Sequence, residues 1–340
     1  MIRQVTRLLC AAAIVFATIP FAGAAVKADT AELRIVRQYG LAFLPFMVMD
    51  VEKLYEKRAA ELGIQTRPVY MTLGSNTAVN EALISGSVNI VTNGPPGFLT
   101  VWSRTRGSSS EIKGIASMVS QSSGLNTRDP KVKSIRDFTD ADRIALSAIK
   151  VSLPAIILQM AAAKEFGQAN YARLDKNTVS LSHPDGMSMM LNGKTEISAH
   201  FTSPPFLNIE LKTPGVHTIL TSEQVMGGPS TWSIVFTTVK FKNDNPKAIQ
   251  AFFLALGDAH KFIKANHEKA ADIYLASSKE GGVSREDVLK ILSDGSIDYT
   301  LVPQKVMTYA NFMRDVGTLK SIPKDWKEPF FEYVQNLPGD

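Results

Sequence analysis

Five histidines, His183, His200, His217, His260 and His267, are the main groups in this chain that could exchange protons near neutral pH. No two of them are spaced i, i+4, the pattern that places two ligands on one helix face, so no metal site is expected. His183 precedes Pro184 and reads as a helix cap. His200 ends a short β-prone run, in the place that Asn93 takes in a similar run about a hundred residues earlier. A hydrolytic nucleophile is also missing from the pattern. Gly186-Met187-Ser188-Met189-Met190 lacks the closing glycine of a nucleophile elbow and sits in a helical stretch. No glycine-rich phosphate loop occurs, and carboxylates such as those of Glu52-Lys53-Glu56-Lys57 alternate with lysines as on a solvated helix face.

What remains is the chemistry of holding a ligand. Gly74-Ser75-Asn76-Thr77 brings backbone N–H groups and side-chain donors to a helix start, which suits a carboxylate, sulfonate, nitrate or phosphate and equally serves as an ordinary N-cap. Lys150 and Ser152 occupy the matching loop of the second half and could add a charge and a donor. Phe43, Phe98, Phe201 and Trp232 fall in loops or at crossings, where they could wall a pocket or simply fill the core.

The elements that must position these residues follow a repeat. Leu83 to Phe98 reads as a helix end, Gly86, a short strand and a loop closing on Pro95-Pro96; Met190 to Phe206 repeats it with Gly193, Ile197 and Pro204-Pro205. In each copy glycine supplies the positive φ that ends a helix and the prolines open the next element. The loops Thr92-Asn93-Gly94 and His200-Phe201-Thr202 then lie at the carboxyl ends of parallel strands, where open α/β sheets place their crevice. Strands are expected at Leu33–Arg37, Thr66–Met71, Val88–Thr92 and Ile112–Val119, then a polar segment from Gln121 to Asp129. The rhythm restarts with strands at Arg143–Ser147, near Tyr171–Leu174 and at Val216–Leu220, and Thr231–Val239 reads as a return crossing. After Asn245 the pattern is helical, with starts at Asn245-Pro246, Ser284 and Pro303.

The order predicts two doubly wound α/β domains joined by two crossing strands. Residues 29–121 and 232–340 form lobe one and residues 122–231 lobe two. Residues 1–28 read as a signal peptide: Arg3 and Arg7, an apolar run from Leu8 to Ile19, then small residues to Ala28. That leader holds Cys10, the only cysteine, and three of the positive charges, so its removal takes the formal charge from +5 to +2. The basic balance therefore does not indicate nucleic acid, and no basic stripe with interleaved aromatics supports it.

The Leu33–Gly63 run, the Gly74-Ser75-Asn76 turn, the Ser85-Gly86-Ser87-Val88-Asn89 junction, the segment from Arg128 to Phe138 and the Ser203-Pro204-Pro205-Phe206 loop together resemble one family. It is the periplasmic solute-binding components of bacterial ABC importers for nitrate, taurine and aliphatic sulfonates, related to thiamine-precursor binders. The resemblance rests on order and spacing and covers nearly the whole chain after the leader. Ser122-Ser123-Gly124-Leu125-Asn126 is more polar than the family's crossing strand, and Asn89 stands where the family has an acid.

The resemblance implies a two-lobed periplasmic-binding-protein fold of type II, and a monomer that closes about a hinge on a small anionic solute. It implies delivery to an inner-membrane permease and its ATPase, with no cofactor and no catalytic residue. Leu41, Ala42, Phe43, Ser75, Asn76, Asn93, Gly94, Gln121 and Ser122 would serve from lobe one and the first crossing. Lys150, Ser152, His200, Phe201 and Thr202 would serve from lobe two, and Trp232 from the return crossing. A neutral or aromatic heterocycle, or an aromatic acid, is the alternative ligand. A secreted enzyme or a ligand-sensing partner of a membrane receptor is the alternative of another class; the iron-binding cysteine motif of the thiamine-pyrimidine synthases that share this fold is absent.

Overall fold

The computed structural model describes residues 31–74, 76–278 and 281–340; the expected leader and Ser75 lie outside the described residues. Strand β1 (Glu32–Arg37) buries Leu33, Ile35 and Val36 completely and runs through a one-turn 3-10 segment (Leu41–Phe43) into α1 (Leu44–Val51) and α2 (Leu54–Glu61). Then β2 (Arg67–Thr72), α3 (Asn76–Ile84), β3 (Val91–Asn93), α4 (Pro95–Thr105) and β4 (Ile112–Gln121) follow.

The chain next enters β5 (Gly124–Thr127), β6 (Arg143–Leu146), α5 (Leu153–Phe166), β7 (Thr178–Ser180), α6 (His183–Asn192), β8 (Ile197–Thr202), α7 (Phe206–Glu210), β9 (His217–Thr221) and α8 (Ser222–Met226). It returns through β10 (Thr231–Thr238) to α9 (Val239–Asp244), α10 (Pro246–Ala265), α11 (His267–Ser277), α12 (Arg285–Ser293), β11 (Ile297–Asp298) and α13 (Val306–Asp315).

Two sheets result, with one strand order between them. In the second lobe the order is β7-β6-β8-β5-β9, with β5 antiparallel to both neighbours. In the first, β4 and β3 flank an antiparallel β10, and Val36 N–H donates to Ile90 O at 2.9 Å, which joins β1 and β2 beyond β3. Read across, both sheets run second, first, third, inserted strand, fourth. Gly86 (φ 74°) and Gly193 (φ 70°) occupy matching turns before β3 and β8, so the repeat in the sequence is a repeat in space. Helix α10 places Ile249, Phe252, Leu256 and Ile263 on one buried stripe, and Phe252 meets Phe46 of α1 edge-on at 5.9 Å.

Three expectations need correction. Tyr171–Leu174 is not a strand: successive bonds from Arg173 N–H to Asn170 O and Asp175 N–H to Ala172 O wind it into turns, and the strand comes later as β7. The polar stretch after Gln121 contains β5, whose polar side chains are satisfied inside the lobe, Thr127 Oγ1 by Ser198 O at 2.9 Å and Asn126 by Glu210 at 2.9 Å. The region after Asn245 is not wholly helical. Strand β11 pairs with β4, and beyond α13 the chain lies in turns that pack Phe330 against Gly114, where a Cβ would meet the ring at 2.5 Å.

Candidate functional site

Where the lobes meet, the carboxyl ends of the strands enclose a narrow cavity of about 40 Å³. Lobe one brings Gln38, Tyr39 and Phe43 from the end of β1, Gly74 and Asn76 at the start of α3, Gly94 before α4, and Trp232 and Ser233 from β10. Lobe two brings Ser147 from the end of β6, Leu153 and Pro154 from the start of α5, and His183 from the start of α6. Four helix amino ends from both lobes thus converge on one small space. Among the described residues, no Lys, Arg, Asp or Glu borders it.

The lobes are in contact around it. Leu41 N–H donates to Pro204 O at 3.3 Å, and Lys212 pairs with Asp287 at 2.5 Å across the two lobes. Gly94 lies so close to α5 that a Cβ there would stand 2.7 Å from Leu153 Cβ. Gly40 (φ 102°) lets the loop after β1 pass beneath Pro204 O. Gln38 Nε2 donates to Asn76 Oδ1 at 3.1 Å and fixes two polar groups of the wall. Gln38 and Tyr39 also border an outer cavity of about 520 Å³, which adds Arg37, Met47, Asp185, Met187 and Phe206.

Behind the wall runs a buried polar chain. His183 Nδ1 lies 3.2 Å from His200 Nε2 and 3.1 Å from Thr202 Oγ1; His200 Nδ1 lies 2.5 Å from Glu210 Oε1. Asn126 Nδ2 donates to Glu210 Oε2 at 2.9 Å and to Leu207 O at 3.2 Å, and Thr218 Oγ1 donates to Asn126 Oδ1 at 2.6 Å. His183 stacks on Phe206, with ring centroids 5.8 Å apart, and burial, then the neighbouring His200, bring its pKa down to about 3. It is therefore a neutral imidazole at the cavity wall.

Of the residues expected from the sequence, Phe43, Asn76, Gly94 and Trp232 border the cavity. The others do not. Leu41 and Ala42 are buried beneath the loop after β1, and Gln121 is buried at the end of β4 with neither side-chain polar atom bonded. Ser122 bonds through its backbone to Ser296 at 3.3 Å, and Asn93 is buried with its amide on Asn80 at 3.1 Å. Lys150 is exposed in a left-handed turn (φ 64°), and the Ser152 hydroxyl is consumed as the N-cap of α5. His200, Phe201 and Thr202 are fully buried, a layer behind the wall. Helix α6 explains this shift: Ser182 is its cap, so His183 sits at the first helical position and reaches the cavity in front of His200. Gln38, Tyr39, Ser147, His183 and Ser233, which the sequence reading did not place there, also border the cavity, and each sits within a few residues of a strand end, the signal that could have found them. Among the described residues no group of His, Cys, Asp and Glu is arranged to hold a metal ion.

No family model and no curated protein matches the chain by sequence. Solved structures do match. The alkanesulfonate-binding protein SsuA from Xanthomonas axonopodis pv. citri, bound to MOPS, is 15% identical over 86% of this chain and 96% of its own, with a TM-score of 0.67. A Candida albicans gene product described as having the generic periplasmic binding protein fold is 12% identical over 86% of this chain and 92% of its own, with a TM-score of 0.63. The chain has the periplasmic-binding-protein fold. The periplasmic nitrate-binding protein NrtA from Synechocystis PCC 6803 shares this binding-protein fold at 15% identity, covering 86% of this chain and 83% of its own, with a TM-score of 0.65. In a periplasmic-binding-protein fold the cleft between the lobes is where the strand ends of both sheets face each other, and the cavity of this chain lies there.

Proposed function

We propose that this protein is the solute-binding component of an ABC importer, which captures a small solute between its lobes outside the cytoplasmic membrane and hands it to a permease and its ATPase. The observation that carries the reading is the cavity closed by helix amino ends of both lobes, a geometry that binds only when the lobes come together. Among the described residues no helix is long and apolar enough to cross a membrane.

The ligand we propose is a compact oxyanion group, sulfonate, carboxylate or nitrate, with any organic body lying in the outer cavity. The size of the inner space and the N–H groups at its helix starts favour such a head, each helix end contributing ~0.3–2 kcal/mol. Met47, Met187 and Phe206 offer the body an apolar surface. A neutral planar heterocycle is the second reading, favoured by the rings of Tyr39, Phe43, His183 and Trp232 around a lining without charge.

A thermal-shift and calorimetric screen separates them, using nitrate, taurine, benzenesulfonate and benzoate against cytosine and thiamine. A ligand at a hundred times its dissociation constant adds ~2.7 kcal/mol of stability. The oxyanion reading expects stabilisation by one acid class, weakened by Asn76→Ala and Ser147→Ala, with the compound recovered chemically unchanged. Stabilisation by the heterocycles alone would replace that reading with the second.

A further inference from the structure

We infer that His183 presents an N–H, and not a lone pair, to the ligand, because the buried chain Asn126–Glu210–His200 behind it places a proton on His200 Nε2 in either of its neutral forms. The inference deepens the function proposed above and rests on it for the ligand, but the proton arrangement belongs to the protein alone.

Asn126 has its amide orientation fixed, since Thr218 Oγ1 donates to its Oδ1 at 2.6 Å while its Nδ2 reaches both Leu207 O and Glu210 Oε2. Glu210 Oε2 is therefore an acceptor, and Oε1 faces His200 Nδ1 at 2.5 Å. Both Glu210 and His200 are 0% exposed, and among the described residues no Lys or Arg pairs with Glu210. A lone negative charge in that position would go uncompensated, so the pair is held net neutral.

Net neutrality can be reached in two ways. Either Glu210 is ionised and His200 carries protons on both nitrogens, or Glu210 keeps its proton and donates it to Nδ1, which leaves the imidazole proton on Nε2. Both place a proton on His200 Nε2. That N–H donates to His183 Nδ1 at 3.2 Å, and the Thr202 hydroxyl lies 3.1 Å from the same atom. His183 Nδ1 must then be an acceptor, and a neutral imidazole that accepts at Nδ1 carries its proton on Nε2. His183 Nδ1 is turned to the protein interior and the residue borders the cavity, so Nε2–H is the edge left for the ligand.

Local structure holds this geometry. At Gly186 a Cβ would stand 2.9 Å from His200 Nε2, so glycine is what allows α6 to carry His183 so close to β8. A donor at this wall selects a ligand that accepts there, and it repels a protonated amine. His200 and Glu210 act through His183 and are positioning residues.

The test is long-range ¹H–¹⁵N correlation on ¹⁵N-histidine-labelled protein without ligand, together with calorimetry using benzenesulfonate as the probe. The expected spectrum has His183 as the neutral Nε2–H tautomer. Glu210→Gln should preserve it, because Asn126 holds the new amide oxygen and the amide NH₂ faces His200 Nδ1. His183→Gln should keep benzenesulfonate affinity within about threefold, whereas His183→Phe should weaken it roughly tenfold or more. A His183 Nδ1–H tautomer in the wild-type spectrum, or in Glu210→Gln, would overturn the proton arrangement. Equal affinity in His183→Phe would overturn the contact with the ligand. Should benzenesulfonate and the other acids of the screen all fail to bind the wild-type protein, the oxyanion reading fails by itself and the spectrum still decides the tautomer.

Discussion

Gly94 has φ −61° and ψ 156°, a conformation that alanine adopts without strain, yet its Cβ would collide with Leu153 across the cleft. Gly94→Ala should therefore leave the melting temperature nearly unchanged and hinder closure, at a cost of ~1–3 kcal/mol, or roughly five- to 150-fold in ligand affinity. Calorimetry and the radius of gyration in solution check it together; unchanged affinity with a compact particle would mean that the lobes do not need this contact. Lys150 behaves in the opposite way. It holds a left-handed turn in solvent, so Lys150→Gly should match or exceed wild-type stability by up to ~1 kcal/mol. Lys150→Ala should leave ligand affinity within about threefold, the scale of a surface charge.

At the scale of elements, α6 depends on a residue that its own helix propensity disfavours. Gly186→Ala would gain ~1 kcal/mol in an isolated helix, but the added methyl meets His200 and Ala145, so urea unfolding should show a net loss of ~1–2 kcal/mol. Most of the strands were legible because Leu33, Ile35 and Val36, or Ile234, Val235 and Phe236, are apolar runs bounded by turn residues. Strand β5 was not, since Asn126 and Thr127 look solvated in the sequence and only the fold supplies Glu210, Thr218 and Ser198 as their partners. The site was legible as strand-end loops and less so as residues. His200 lies near the end of a strand and His183 opens a helix, and no periodicity tells which of them faces the cleft and which lies one layer behind.

For the whole molecule, His183 and His260 share one consequence. Burial keeps each neutral down to about 3, against 6.5 for an ordinary histidine; for His260 the nearby Lys264 adds to burial, while a hydrogen bond with the Met118 backbone opposes it. An unfolded chain takes up a proton on each as pH falls through 6.5 and the folded one does not until about 3. Stability is therefore full above 6.5 and is lost progressively between 6.5 and 3, at up to ~1.4 kcal/mol per pH unit for each histidine. Urea midpoints measured across that range check it, and His260→Gln should remove about half of the slope that the two residues contribute.

The strand order carries one more consequence, for biosynthesis. Lobe two is a single continuous stretch whose inserted strand β5 is made before its neighbours, whereas β3 and β4 of lobe one must wait for β10, which leaves the ribosome only after all of lobe two. During synthesis the first third of the chain has a gap in the middle of its sheet and two unpaired strand edges, while the later lobe can close at once. A chain ending before Thr231 should thus protect β5 to β9 from protease and leave β1 to β4 open to digestion. The half of the protein that is born first is the half that finishes last.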